Sequence, residues 1–143
     1  MSKFSLFMKE NKTERKNGFY AATESIKDEN GKPVLWEFRH IDSRHNNALR
    51  ADCTKEVPIT GKPGAYRQKT DTDQYMAKLI AASTVYPDLY DSELQDSYGV
   101  SKPEDLLYAL VDDAGEYQDL MLWVQKFQGF TKSFDETVDE AKN

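Results

Sequence analysis

His40, Asp42, His45 and Cys53 are the residues of this 143-residue chain whose types could do metal or thiol chemistry. On a helix, His45 and Cys53 would share a face and could approach one another across Leu49. Side chains two turns apart do not readily meet on one ion, and the short-spaced ligand pairs of a zinc site are missing. A nucleophilic Cys53 would need an electropositive setting to lower its pKa. Arg50 and Lys55 are near it in sequence, which is thin support. The pattern favours a packed cysteine and a surface histidine.

Paired carboxylates offer a second chemistry. Asp71 and Asp73, Asp88 and Asp91, and Asp112 and Asp113 could hold calcium or share acid–base work. A calcium loop needs alternating oxygen ligands, a central Gly and a distal Glu, and none of these pairs supplies that set. Helix capping accounts for Asp71 and turn chemistry for Asp88. Gly61-Lys62 is no phosphate loop, because the full spacing and the Ser or Thr after Lys are absent. The reading is of a protein that is not an enzyme, with no catalytic, cofactor-binding or metal-binding residue assigned.

The aromatic and Met content is the more promising signal. On a helix, Tyr117, Leu120, Met121, Val124 and Phe127 form one stripe about 120° wide. Leu122 falls nearly opposite it and Trp123 at its flank. Either a second element covers the stripe, the favoured alternative, or an exposed apolar strip takes a partner helix. Tyr117, Met121, Leu122 and Trp123 are the candidate partner-binding residues. Tyr86, Tyr90 and Tyr98 gather around turns, where a ring can bury while its hydroxyl stays wet, a habit of interfaces.

Several elements must position these groups. Ser5 to Asn11 reads as a short helix with Leu6, Phe7 and Met8 as its apolar anchor, and a charged connector follows. Phe19 to Ile26 is strand-like and Val34 to Ile41 alternates, with Val34, Trp36 and Phe38 on one face. Asn30-Gly31 between them suits a hairpin turn. Asp42 or Ser43 caps a helix to about Cys53, with Ala48, Leu49 and Cys53 inward. Val57 to Tyr66, punctuated by Pro and Gly, is a projecting loop or a second hairpin. Asp71 or Thr72 caps a helix reaching Tyr86, which Pro87 ends. A short helix from Ser92 to Tyr98 closes at Gly99. Another opens at Pro103 with Leu106, Leu107, Leu110 and Val111 buried. The run Asp112 to Gly115 breaks it, and Glu116 to Gln128 resumes.

The expected class is α+β, with N-terminal antiparallel hairpins packed on a predominantly helical cluster. One domain of residues 1–143 is expected: an N-terminal helix and connector (1–18), a hairpin-containing basic part (19–70), an acidic helical part (71–132), and a weak helix or frayed tail (133–143).

Composition narrows the function classes. Hydrophobic residues make up 38% of the chain, low for a globule, but seven Phe, eight Tyr and two Trp argue against disorder. No run approaches a membrane span, and the N-terminus is too soon charged for a signal peptide. The single cysteine excludes an internal disulfide and fits a reducing cytoplasm. The net charge of −6 is uneven: the first 70 residues carry 14 Lys and Arg against 9 Asp and Glu, the rest 5 against 16. The basic residues are scattered among acids, which disfavours nucleic-acid binding. Head-to-tail self-association is the other reading of such asymmetry.

Three phrases carry a likeness: Arg50-Ala51-Asp52-Cys53-Thr54, Thr84-Val85-Tyr86-Pro87-Asp88-Leu89, and Glu93-Leu94-Gln95-Asp96-Ser97-Tyr98-Gly99-Val100. With Trp36-Glu37-Phe38-Arg39 and Gly115-Glu116-Tyr117, they make the chain resemble the XkdN-like tail assembly chaperones of contractile-tailed phages and defective prophages of Gram-positive bacteria. The sequence departs from that pattern at Gln128-Gly129-Phe130, where relatives tend to have Asn-Gly. The resemblance implies a protein of the bacterial host cytoplasm that binds the tape measure protein and keeps it soluble during tail tube assembly, with the tail tube protein as a second candidate partner. It implies no cofactor, no nucleic acid and no membrane. The alternative is a structural tail or baseplate component, or a tail-assembly regulator, retained in the particle.

Overall fold

Alternation around Trp36 builds the first sheet. In the computed structural model, which describes residues 2–130, strand β1 (Gly18–Tyr20) pairs antiparallel with β2 (Trp36–Phe38), Phe19 lying opposite Glu37. Trp36 and Phe38 point into the core and are 1% and 0% exposed. The connection is held by a Lys27–Pro33 bridge and by Asp28, whose carboxylate accepts the N–H groups of Asn30 and Lys32 at 2.8 and 3.0 Å. Gly31 turns it with φ +78°.

Asp42 starts helix α1 (Ser43–Asp52) by accepting the His45 N–H at 2.7 Å. Cys53 and Leu49 face inward, but Ala48 is exposed, contrary to its expected burial. Ala48 neighbours Leu49 on the helix and is turned roughly 100° from it. Of the two readings of Val57 to Tyr66, the hairpin is the one found: β3 (Thr54–Pro58) pairs antiparallel with β4 (Tyr66–Thr70).

Asp71 caps α2 (Thr72–Ser83), which stops three residues short of the expected Tyr86. Thr84–Tyr86 instead forms β5, a third strand beside β2. The Ser83 and Thr84 hydroxyls donate back to the Leu79 and Ile80 carbonyls, each at 2.7 Å. Branched Thr84 and Val85 favour extended backbone, and Tyr86 is kept from helical angles by the proline after it. The Arg39 N–H then captures the Ser83 carbonyl at 2.8 Å.

Helix α3 (Ser92–Ser97) is capped by Asp91 and turns out at Gly99, with φ +70°. Helix α4 (Pro103–Leu110) has Pro in its first turn and acids at its positive end, and buries Leu106, Leu107 and Leu110 as expected. Asp113 caps α5 (Ala114–Gln128), so the helix begins two residues before Glu116. The fold is α+β: α2, α4 and α5 share one core with the inner face of β2, built on Leu79, Ile80, Leu107, Leu120 and Val124.

The expected N-terminal helix is two 3₁₀ turns, Ser5–Phe7 and Lys9–Asn11. Its apolar anchor is not buried, since Leu6 and Phe7 are 83% and 84% exposed. So short a segment cannot hold a helix without packing against the body. The reading of 133–143 as a weak helix or tail lies outside the described residues.

Candidate interaction surfaces

The residues that could have done metal or thiol chemistry are spent on structure. Cys53 is buried, and burial pushes its thiol pKa up, away from a reactive thiolate. His40 stacks on Phe127 with ring centroids 4.0 Å apart, and burial, followed by the positive Arg15, pulls its pKa down. Asp71, Asp91 and Asp113 accept the backbone N–H groups of Gln74, Leu94 and Glu116 as caps, and Asp88 accepts that of Tyr90 in a turn. Among the described residues no three His, Cys, Asp or Glu gather closely enough to hold a metal ion.

Helix α5 carries all four candidate partner-binding residues, and the structure separates them. Trp123 lies within an aromatic cluster, its ring centroid 5.0 Å from those of Tyr20, Phe38 and Phe127. Strand β1 approaches so closely that a Cβ on Gly18 would stand 2.7 Å from Phe127 Cε1 and 3.1 Å from Trp123 Cη2. Met121 is half-buried against the core. Tyr117 is half-buried and stacks on Tyr108 of α4 at 5.0 Å. The Tyr117 hydroxyl is buried without a hydrogen-bond partner among the described residues, and burial, with the neighbouring Tyr108, pushes its pKa up. Leu122 stands apart, 55% exposed.

Both ends of α5 are fastened to the rest of the chain by polar contacts. At its start, the Glu116 carboxylate accepts the Thr23 hydroxyl at 2.7 Å and the Glu24 N–H at 2.8 Å. At its end, buried Gln128 donates to the Arg39 carbonyl and to Ser83 Oγ, both at 2.9 Å, and accepts the Ile41 N–H at 3.2 Å. Gly129 then turns the chain with φ +88°. Beside the first fastening lies an open cleft of about 800 Å³ lined by Tyr20, Glu24, Lys27, Asp113, Glu116 and Asp119. Asp113 and Glu116 already accept hydrogen bonds within the fold, so the cleft is first a joint between the β1–β2 connection and α5.

Sequence alone singles out Tyr86, by its place near a turn, but not the outer face of the first sheet to which it belongs. Phe19, Leu35 and Tyr86 are 59%, 57% and 56% exposed there. The signal is the alternation about Trp36, which sets Glu37 and Arg39 on the other face, with Leu35 just before the strand. Their neighbours across the strands could be named only once the register was known.

Comparison with known proteins completes the picture. The family model for the phage XkdN-like tail assembly chaperone protein matches residues 4–142. The phage-like element PBSX protein XkdN of Bacillus subtilis (strain 168) is 22% identical over 116 residues, covering 81% of this chain and 77% of that one. The protein YqbN of the same organism is also 22% identical over 116 residues, covering 81% and 76%. The crystal structure of YqbN superposes with a TM-score of 0.74 at 19% identity, covering 91% of this chain and 98% of that one, and so shares the fold.

Proposed function

The chain belongs to the phage XkdN-like tail assembly chaperone family, and from that membership we propose that it binds the tape measure protein and keeps it soluble while the tail tube forms. The observation that carries the reading is the set of large apolar side chains which a chain of this family leaves in solvent: Phe4, Leu6, Phe7, Phe19, Leu35, Tyr86 and Leu122. Phe19, Leu35 and Tyr86 gather about one sheet, and exposed apolar side chains brought together in this way suit a protein that covers the apolar faces of another. A tape measure presents repeated apolar helix faces before the tube encloses it, and such faces aggregate. An acidic partner keeps the complex dispersed through like-charge repulsion. Moderate contact area lets tube subunits displace it. On this reading the protein works in the host cytoplasm, with the tail tube protein as its second contact. Leu122 contributes on the outer side of α5, the half-buried Tyr117 and Met121 contribute along its stripe, and Trp123 supports that helix from within.

Co-expression with the tape measure protein of the same phage or prophage tests the proposal. The expected result is a soluble complex and a tape measure that precipitates when expressed alone. Failure to rescue solubility, with no complex on co-purification, would overturn it. So would this chain at stoichiometric levels in purified tails by mass spectrometry, which would make it a retained tail or baseplate component.

A further inference from the structure

We propose that the outer face of the β1–β2–β5 sheet is a docking site for one amphipathic helix carrying a Lys or Arg at the centre of its apolar stripe. The register sets one row across the sheet: Phe19 lies opposite Glu37, and Glu37 opposite Tyr86. Regular alternation from Thr84 would have turned Tyr86 inward. The irregularity between Glu37 and Phe38 places it outward instead, leaving Val85 as the extra residue. Leu35 lies on the same face, one alternation from Glu37. Phe19, Tyr86 and Leu35 are each more than half exposed.

The dimensions fit a single helix. Strands about 4.8 Å apart put the two flanking aromatics about 10 Å from one another, close to the width of a helix with its side chains. The helix would lie along β2, between Phe19 and Tyr86 and over Leu35.

Charge selects the rest of its chemistry. Glu37 sits at the middle of the row, half-buried, its carboxylate held by the Asn17 side-chain amide at 2.8 Å. The ion pair among the described residues is Lys78–Glu104, which does not involve Glu37. A purely apolar occupant would strip water from a carboxylate that has no cationic partner among the described residues, which is strongly unfavourable, whereas one bearing a cation there forms a charge-assisted contact. The inference rests on the tape measure reading only in identifying where such a helix would come from.

The test uses the full chain and labelled 18-residue amphipathic peptides of Leu and Ala, one with Lys and one with Glu at the centre of the apolar stripe, read by fluorescence anisotropy. The expected result is at least tenfold tighter binding of the Lys peptide and reversal of that preference in Glu37→Lys. The double variant Phe19→Ser with Tyr86→Ser should weaken the Lys peptide at least tenfold at unchanged circular dichroism. Equal binding of the two peptides, or no reversal in Glu37→Lys, overturns the proposal. The charge swap still decides if the double variant fails to fold. A dimer in sedimentation that Glu37→Lys dissociates would make a second copy the occupant. Tenfold tighter peptide binding by Phe134→Ser would point to the chain's own last residues. Either result would overturn the partner-helix assignment. Rescue of the tape measure by wild type that persists undiminished in both sheet variants overturns this face and leaves the chaperone reading standing; no rescue by wild type overturns that reading itself.

Discussion

Replacing Trp123 by Ser and Leu122 by Ser, adjacent residues of one helix, should have opposite consequences. The Trp123 indole is surrounded by the rings of Tyr20, Phe38 and Phe127, each centroid at 5.0 Å. A half-buried indole that removes on the order of 150 Å² from water is worth about 3–4 kcal/mol at ~25 cal/mol per Å². The space it leaves is walled by rings that cannot collapse onto it without moving β1, so the loss stays within the usual range of about 3–5 kcal/mol for removing a large aromatic. Against a total stability of about 5–15 kcal/mol, such a loss leaves the fold marginal. Leu122, 55% exposed, loses little burial, and its variant should remain within about 0.5 kcal/mol of wild type. Urea unfolding followed by far-ultraviolet circular dichroism measures both, with an unchanged slope as the control that the unfolded state is comparable. A Trp123→Ser variant that loses less than about 1 kcal/mol would refute the packing argument. A Leu122→Ser variant as unstable as Trp123→Ser would do the same.

Gln128→Leu should cost about 2–4 kcal/mol by urea unfolding, because it leaves the Arg39 carbonyl and the Ile41 N–H without their partner; near-wild-type stability would show that water replaces the amide. Gly18→Ala should cost about 1–3 kcal/mol by the same measurement, since its Cβ would meet Phe127 Cε1 at 2.7 Å and that ring is wedged between Trp123 and His40. His40 should make the fold acid-sensitive. Burial and Arg15 lower its folded pKa below the ordinary 6.5, so beneath that value the unfolded chain takes up a proton that the folded one resists, and stability falls with pH until the folded pKa is reached. His40→Phe should shrink the difference between urea midpoints at about pH 7.5 and about pH 5.5; an unchanged difference would remove His40 as its source.

What the sequence revealed, it revealed through local rules. Alternation about Trp36 placed Trp36 and Phe38 in the core, Asp42 and Asp71 were readable as caps, and Leu106, Leu107, Leu110 and Val111 were readable as a buried stripe. Strand β5 was not readable. Tyr75, Leu79, Ala82 and Tyr86 keep helical spacing throughout, which masks the local preference of Thr84 and Val85 for extended backbone until hydrogen bonds to distant β2 fix the strand. Trp123 misleads for a related reason. A helical wheel puts it at the flank of the stripe, but its burial comes from β1, which reaches it because residue 18 has no side chain. Leu6 and Phe7 fail the other way, since apolar character says what would gain from burial and not that anything covers it. The candidate surfaces were half-legible at best, because exposure depends on which neighbours the register supplies.

The same sheet therefore does two jobs with opposite requirements. Its inner face is aromatic and tightly packed, with Trp36 and Phe38 buried and Tyr20 stacked on Trp123, which fixes the strands against α5. That rigidity preorganises the outer face, so Phe19, Leu35, Glu37 and Tyr86 meet an incoming helix with little further ordering cost. The outer face is also small, three strands wide and with paired strands only three residues long, and has an anion at its middle. Small area limits strength, and the central carboxylate penalises apolar helices that bring no cation. A face of this kind favours binding that is selective and readily reversed over binding that is tight. Reversibility is what a tail assembly chaperone requires if its client must afterwards be handed to a growing tube.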